Sequence, residues 1–310
     1  MPTLPFALQS FLDMVDNVSE INFSPSIVRD ASATLAESLG LPKVPVALVL
    51  DYGVRLATHD IIVRCYHPAP SKTLPVIFFY HGGGHVSCSL ETHDRICRRI
   101  ANATQCVVLS VDYRLAPEFP YPSGVNDCLA ITAHRKQLFQ ATFLVDFDHI
   151  FLAGDSAGGN LALTVCHQMK QQGDTAIQGL ILIYPSVDFS MNYDSFERYG
   201  RGFLLTKNKV SWYLNQYFAK GGDRKQASPI HFPNLESLPP VYMAIAELDP
   251  LYDENQAFAT KLKALGVAIR VEEFKGMIHA FVQFESLVPL QISQLILSLR
   301  DFIQPLKPLK

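Results

Sequence analysis

The chain has 310 residues, of which 48% are hydrophobic and 18% charged, so it can bury a large core. This composition excludes whole-chain disorder and fibrous or low-complexity proteins. The formal net charge of −3 gives no general attraction to nucleic acids or anionic membranes, so we expect neither as a partner.

The cysteines and the N-terminal segment indicate the compartment. No two of the six cysteines form a Cys-x-x-Cys pair, the pattern of zinc ribbons and redox dithiol sites. The N-terminal segment has no basic region and is interrupted by Pro5, so we expect no signal peptide. No apolar run is long enough for a transmembrane helix. We therefore expect a cytoplasmic protein with no stable membrane insertion.

Residues 1–45 are predicted to form a helical arm, because apolar residues recur there at helical spacing between prolines. From residue 46 onward, short apolar runs typical of strands follow one another. They lie at 46–50, 60–66, 74–80, 106–111, 149–154, 179–184, 241–246 and 269–274. The later runs are β-branched and almost unbroken, as expected for strands that are buried on both faces.

Helical patterns alternate with these strands, the clearest at 157–171, 253–265 and 289–304. This alternation predicts an α/β fold with a mostly parallel central sheet and helices on both faces. Residues 186–238 contain no strand pattern and many aromatic residues, so we predict a cap insertion there. The predicted core is then 46–185 together with 239–310, covered by the 1–45 arm and the insertion.

A Gly-x-Ser-x-Gly motif, Gly154-Asp155-Ser156-Ala157-Gly158, joins the strand at 149–154 to a helical pattern. This is the setting of a nucleophile elbow, a tight turn that projects the serine hydroxyl above the sheet. The alternative is a glycine-rich helix start that binds phosphate. No P-loop lysine or GxGxxG motif accompanies it, so we predict that Ser156 is a nucleophile.

A glycine cluster, His81-Gly82-Gly83-Gly84, follows the strand at 74–80. Consecutive glycines leave backbone N–H groups free to converge on an oxyanion. A flexible loop is the alternative, and the serine motif favours the oxyanion hole. His81 and His85 lie four residues apart, but a glycine run does not hold the helix that would make them a metal-binding pair, so we expect no metal.

A serine nucleophile needs a base that is oriented by a carboxylate, and in this fold both follow late strands in the order serine, acid, histidine. His279 follows the strand at 269–274 and is the predicted base. Asp249 follows the strand at 241–246 and is the predicted acid, with Glu247 and Asp253 as alternatives. The rate should rise from acid toward neutral pH as His279 loses its proton.

Five motifs together resemble the hormone-sensitive lipase family of α/β-hydrolases, also called bacterial family IV esterases. In the family's order they are HGGG (81–84), VDYRLAPEFPYP (111–122), GDSAGGN (154–160), AELDPLYDE (246–254) and GMIHAF (276–281). The resemblance implies an α/β-hydrolase fold with a helical cap. It implies a nucleophile at Ser156, an acid at Asp249, a base at His279 and an oxyanion hole formed by the amides of Gly83, Gly84 and Ala157.

The resemblance also implies a serine carboxylesterase that hydrolyses short- to medium-chain acyl esters without a cofactor. Its partner is then a small-molecule ester, and a homodimer through the last strand and helix is common in the family. Two positions depart from the family pattern: His85 stands where a large aromatic residue is common, and Cys88 where glycine is usual. We expect both to affect the shape of the pocket, and Cys88 to make the enzyme sensitive to thiol reagents.

Other conspicuous side chains have structural or pocket roles in this interpretation. The charged residues Arg114, Glu118 and Asp155 are predicted to brace loops beneath the site, because buried charges must be paired. Of the aromatic residues in and near the insertion, Tyr184, Phe203 and Trp212 are predicted to line the pocket.

Two alternative functions remain open at this point. An amidase, thioesterase or deacetylase would use the same triad, and the sequence does not separate these leaving groups. A non-catalytic small-molecule receptor, as found among plant relatives of the family, tends to lose the catalytic histidine. The presence of Ser156, Asp249 and His279 disfavours that second alternative.

Overall fold

One eight-stranded sheet forms the centre of the computed structural model, which describes residues 4–16, 23–139 and 142–308. The strands are β1 (Leu48–Arg55), β2 (Asp60–His67), β3 (Leu74–Tyr80), β4 (Val107–Val111), β5 (Val145–Asp155), β6 (Ile177–Ile183), β7 (Val241–Leu248) and β8 (Ile269–Ile278). Their order is β1-β2-β4-β3-β5-β6-β7-β8. Only the β1–β2 and β2–β4 pairs are antiparallel in the described sheet, which confirms the mostly parallel arrangement.

Helices connect the strands and extend the chain at both ends. They are α1 (Phe6–Asp16), α2 (Pro25–Leu39), α3 (Asp94–Thr104), α4 (Ser123–Ala133), α5 (Arg135–Phe139), α6 (Ala157–Gln171), α7 (Ser195–Arg198), α8 (Lys207–Tyr217), α9 (Tyr252–Ala264) and α10 (Pro289–Ile303). The predicted helices at 157–171, 253–265 and 289–304 correspond to α6, α9 and α10 within one residue at each end. Within the described ranges, no helix is both long and apolar enough to cross a membrane.

The central strands of the sheet are buried on both faces. Along β3, Phe78 and Tyr80 point into a cluster with residues of α4, α6 and α9, whereas Ile77 and Phe79 point into a cluster with residues of α1, α3 and α10. All four β3 side chains are fully buried. A strand that is covered on both faces needs apolar residues at successive positions, which explains the unbroken apolar run in the sequence.

The N-terminal arm supplies α1 and α2, and the 186–238 segment supplies α7 and α8. Arg29 of α2 ties the arm to the core, because its guanidinium donates hydrogen bonds to Glu118 and to the Val86 and Ala116 carbonyls. Residues 1–3 and 17–22 of the arm lie outside the described ranges. The division of the chain into a core and a cap stays a prediction.

Candidate active site

Ser156 occupies a tight turn between β5 and α6, with φ 53° and ψ −121°. This conformation is costly for a residue with a side chain and persists only where the surroundings hold it. Here the Ser156 N–H donates to the Ile183 carbonyl at 2.9 Å, and the Ser186 N–H donates to the Ser156 carbonyl at 3.1 Å. A Cβ on Gly158 would lie 1.9 Å from the Tyr80 carbonyl oxygen, so only glycine allows α6 to begin this close to β3.

His279 and Asp249 lie next to this turn. His279 directly follows β8, and its Nε2 is 2.8 Å from the Ser156 Oγ. Its Nδ1 is 2.6 Å from Oδ2 of Asp249, which directly follows β7 and is buried. The other carboxylate oxygen of Asp249 accepts the Leu251 N–H at 2.8 Å. This arrangement favours the His279 tautomer that carries its proton on Nδ1, leaving Nε2 free to accept the serine proton.

The two alternative acids have other partners. Glu247 accepts hydrogen bonds from the Gly276 N–H at 2.7 Å and from the Lys275 ammonium at 3.3 Å. Asp253 accepts them from the Ser195 N–H at 2.8 Å and from the Arg198 guanidinium at 2.6 Å. Of the three acids that the sequence left open, Asp249 is therefore the one that contacts His279.

The glycine loop after β3 lies beside Ser156. Gly83 and Gly84 have φ values of +103° and +62°, and a Cβ on Gly83 would lie 2.2 Å from the Ser87 carbonyl oxygen. Gly83, Gly84 and Ala157 line the same cavity as Ser156. Their N–H groups donate to no acceptor in the described part of the chain. They are therefore available to donate to an oxyanion that forms at Ser156.

Asp155 joins the glycine loop to the serine turn. Its Oδ1 accepts the Gly82 N–H at 2.8 Å and lies 3.0 Å from Nε2 of the buried His93. Burial by itself raises the pKa of Asp155, but the His93 and His81 rings and the Gly82 N–H outweigh it, so the pKa is lowered overall. Nothing in the sequence pattern identified His93 as the partner of this carboxylate.

The other two charges that the sequence singled out are also paired. The Arg114 guanidinium forms a bidentate ion pair with the buried Asp127 carboxylate, with N–O distances of 2.9 and 2.8 Å. Glu118, which is exposed, pairs with Arg29 at 2.7 Å. The structure therefore agrees with the bracing role predicted for Arg114 and Asp155. For Glu118 the prediction of a buried charge beneath the site is wrong, because its exposed carboxylate pairs with Arg29 of α2. Within the described ranges, no group of three or more His, Cys, Asp or Glu side chains could hold a metal ion.

A cavity of about 110 Å³ opens onto Ser156 and His279. Two helices cover it: α2 contributes Ser32 and Leu35, and α8 contributes Lys209, Val210, Tyr213 and Leu214. The wall is mostly apolar, and the segment before α8 adds Leu204 and Leu205. Such a cavity, apolar with a few polar groups near the reacting atoms, suits a small organic ligand.

The cavity wall differs from the sequence prediction at three positions, because the described wall includes none of Tyr184, Phe203 and Trp212. Tyr184 is fully buried behind the site, where its ring packs on His279 with the centroids 4.8 Å apart. Phe203 packs against Tyr199, and Trp212 packs against Phe23. The three pocket assignments are therefore corrected. For Trp212 the reason is that aromatic composition alone does not indicate which face of α8 is directed at the cavity.

The two positions that depart from the family pattern both line the cavity, and both have positive φ, 62° at His85 and 69° at Cys88. The His85 ring stacks on Tyr217 with the centroids 3.8 Å apart. Burial lowers the pKa of His85 to about 3, so its ring is neutral at physiological pH. Cys88 is buried, with its sulfur 3.4 Å from Nε2 of Gln283.

Iodoacetamide is expected to inactivate the protein slowly at neutral pH and faster as the pH rises. Burial raises the pKa of the Cys88 thiol, so little reactive thiolate is present near neutrality. Residual esterase activity after timed alkylation measures this rate. A Cys88→Ala variant should stay active and resist the reagent, and inactivation of this variant at the wild-type rate would show that Cys88 is not the sensitive thiol.

The chain is similar to several known proteins over most of its length. A family model described as the α/β hydrolase fold matches residues 77–283. The chain is 34% identical to the carboxylic ester hydrolase LipN of Mycobacterium tuberculosis, over 80% of this chain and 68% of that protein. It is 35% identical to the ethyl acetate hydrolase of Pseudomonas putida, over 74% of each chain. The crystal structure of a hyperthermophilic esterase from Pyrobaculum calidifontis superposes with a TM-score of 0.87, at 32% identity over 99% of this chain and 100% of that one.

Proposed function

The chain belongs to the hormone-sensitive lipase family of α/β-hydrolases and is a carboxylic ester hydrolase, and we propose that Ser156, His279 and Asp249 are its catalytic residues. One observation carries this proposal: hydrogen bonds of 2.6 and 2.8 Å connect Asp249 through His279 to the Ser156 hydroxyl, which faces the cavity. This is the arrangement that activates a serine for attack on an acyl carbon.

In the first step, the Ser156 Oγ attacks the ester carbonyl carbon while Nε2 of His279 takes the hydroxyl proton. Asp249 accepts the Nδ1–H hydrogen bond and stabilises the imidazolium that forms. The carbonyl oxygen becomes an oxyanion, to which the N–H groups of Gly83, Gly84 and Ala157 donate. The C–O bond to the alcohol then breaks, the alcohol leaves with the proton from His279, and the acyl group stays on Ser156.

In the second step, a water molecule attacks the acyl-enzyme. His279 takes a proton from this water, and the same backbone amides stabilise the second oxyanion. The bond to Ser156 then breaks, and the serine oxygen recovers its proton from His279. The carboxylic acid is released and the free enzyme is restored, so one ester and one water molecule account for all the atoms and charge.

The proposed substrate is a small ester with a short- to medium-chain acyl group. The mostly apolar wall beside Ser156 supports this, since it can bury an acyl group next to the reacting atoms. The amidase, thioesterase and deacetylase alternatives use the same residues, and no feature of the cavity favours them. A homodimer through β8 and α10 also stays a prediction; β8 lies at the edge of the sheet, where a second copy could pair.

Initial rates on p-nitrophenyl esters from acetyl to dodecanoyl test the substrate class. The rate should be highest for short or medium acyl groups and should fall for dodecanoyl, as the proposed substrate class requires. Matched anilides and thioesters serve as the comparison. Faster turnover of an anilide or a thioester than of the ester with the same acyl group would contradict the proposed leaving group.

A further inference from the structure

The cavity wall contains a lysine that the proposed mechanism does not use. Lys209 of α8 lines the cavity that also holds Ser156 and His279. Its ammonium forms no hydrogen bond or ion pair with any residue that the structure describes. Lys207, two residues earlier on the same helix, is exposed and pairs with Glu197. No residue in the described ranges therefore supplies the partner expected of a partly buried lysine.

The position of Lys209 follows from the face of α8 that carries it. Lys209, Tyr213 and Tyr217 are spaced four residues apart, so they share one face of the helix. Tyr213 lies over the glycine loop, since a Cβ on Gly84 would be 2.4 Å from its ring, and Tyr217 stacks on His85. Lys209 therefore lies one turn before Tyr213, about 6 Å further along the helix axis. This places it at the end of the cavity away from His85.

The described cavity wall supplies no carboxylate that pairs with Lys209. The carboxylate in the described cavity wall is Asp155, whose Oδ1 is engaged by Gly82 and His93. Much of the remaining wall is apolar, including Leu35, Val210 and Phe284. The side chain keeps some contact with water through the cavity, but the protein around it removes hydration and lowers the pKa of Lys209. An ammonium in such a place is stabilised when an anion binds beside it.

We propose that Lys209 is a specificity-determining residue that binds an anionic group of the substrate, so that the preferred substrates are esters that also carry a carboxylate. The ester lies at Ser156, and the carboxylate reaches the Lys209 end of the cavity. This inference rests on the proposed function, because it assigns the substrate class of the same site. The carboxylate belongs either to the acyl chain or to the alcohol, and matched substrates separate these two sources.

Two pairs of esters provide the test. For the acyl side, p-nitrophenyl hydrogen adipate is compared with its neutral amide; for the alcohol side, 4-carboxyphenyl butyrate is compared with 4-carbamoylphenyl butyrate. Wild-type protein should prefer the carboxylate in one of the pairs. Lys209→Met should lower kcat/KM for the preferred carboxylate ester by about 10- to 100-fold, mainly by raising KM. It should change kcat/KM for the neutral ester of the same pair by less than about threefold. Lys209→Arg should retain the preference.

Lys207→Met is the matched control, because it removes an exposed lysine from the same helix. It should leave kcat/KM for both esters of each pair unchanged. Equal losses on charged and neutral esters in Lys209→Met would show a structural role and overturn the inference. So would a wild-type protein that does not discriminate within either pair. If Lys209→Met fails to fold, wild-type salt dependence decides: added salt should raise KM for the carboxylate alone, and an equal effect on both esters contradicts the inference.

The outcome for the neutral esters separates this inference from the proposed function. Hydrolysis of neutral esters that depends on Ser156, without any preference for a carboxylate, would overturn the role of Lys209 alone. Hydrolysis that survives the Ser156→Ala substitution would overturn the proposed catalytic residues instead.

Discussion

Replacement of Ser156 by alanine is expected to lower kcat for ester hydrolysis by about 10⁴- to 10⁶-fold. The substitution removes the oxygen that forms the bond to the acyl group, and it leaves the backbone amides of the oxyanion hole and the cavity in place. The residual rate should therefore come from binding and from these amides alone. Initial rates on p-nitrophenyl butyrate, corrected for the uncatalysed reaction, measure the loss.

Ser32→Ala is the matched control for this experiment. Ser32 also lines the cavity, but its hydroxyl donates to the Val28 carbonyl within α2 at 2.8 Å. Its removal should change kcat by less than a few-fold, and thermal melting should show that both variants are folded. A Ser156→Ala protein with a kcat within about tenfold of wild type would contradict the nucleophile assignment.

Asp249→Asn is expected to lower kcat by about 10⁴-fold with little effect on the fold. The asparagine amide can donate to Nδ1 of His279, which favours the tautomer with its proton on Nε2. That nitrogen then points a proton at the Ser156 oxygen and no longer accepts one, so the base is lost. The measurement is kcat across the pH range in which the wild-type rate rises.

The neighbouring acids provide the controls for Asp249. Glu247→Gln and Asp253→Asn alter carboxylates that bind Gly276 and Ser195 and do not contact His279. Each should retain kcat within about tenfold of wild type, since neither touches the reacting atoms. A larger loss in Glu247→Gln than in Asp249→Asn would show that the acid is assigned to the wrong residue.

Most of the sheet could be predicted from the sequence because its central strands are buried on both faces and therefore appear as unbroken apolar runs. The prediction was weakest at β1, expected at 46–50 and observed at Leu48–Arg55. The edge position of this strand leaves residues such as Asp51 exposed, so the apolar run ends before the strand does. The length of β1 is set by its pairing with β2, and the local sequence pattern of β1 does not show this pairing.

The site was predictable where its chemistry is local in sequence. Ser156 and the glycine loop each need particular residues at adjacent positions, because the tight turn and the close contacts tolerate little else. The choice of acid was different, because Glu247, Asp249 and Asp253 lie close together in the sequence, from the end of β7 to the start of α9. Their residue types and spacing alone did not show which of them contacts His279. The His279–Asp249 distance depends on how β7 and β8 pair side by side.

The cavity wall was largely hidden from the sequence. It combines α2 from the N-terminal arm with α8 from the 186–238 segment, about 170 positions later in the chain, so its composition depends on tertiary packing. The aromatic content of this segment led to the prediction that Trp212 lines the cavity, whereas Val210, Tyr213 and Leu214 of α8 line it in the structure. Lys209 has an unremarkable sequence context, and only its position in the cavity gives it a role.

Covalent labelling with an alkyl p-nitrophenyl phosphonate tests the role of Ser156 most directly. One phosphonyl group per chain should attach to the peptide that contains Ser156, with activity lost in proportion to the label, and Ser156→Ala protein should remain unlabelled. Intact and peptide mass spectrometry give both results. Loss of activity with the label on another residue, or equal labelling of Ser156→Ala, would contradict Ser156 as the catalytic nucleophile.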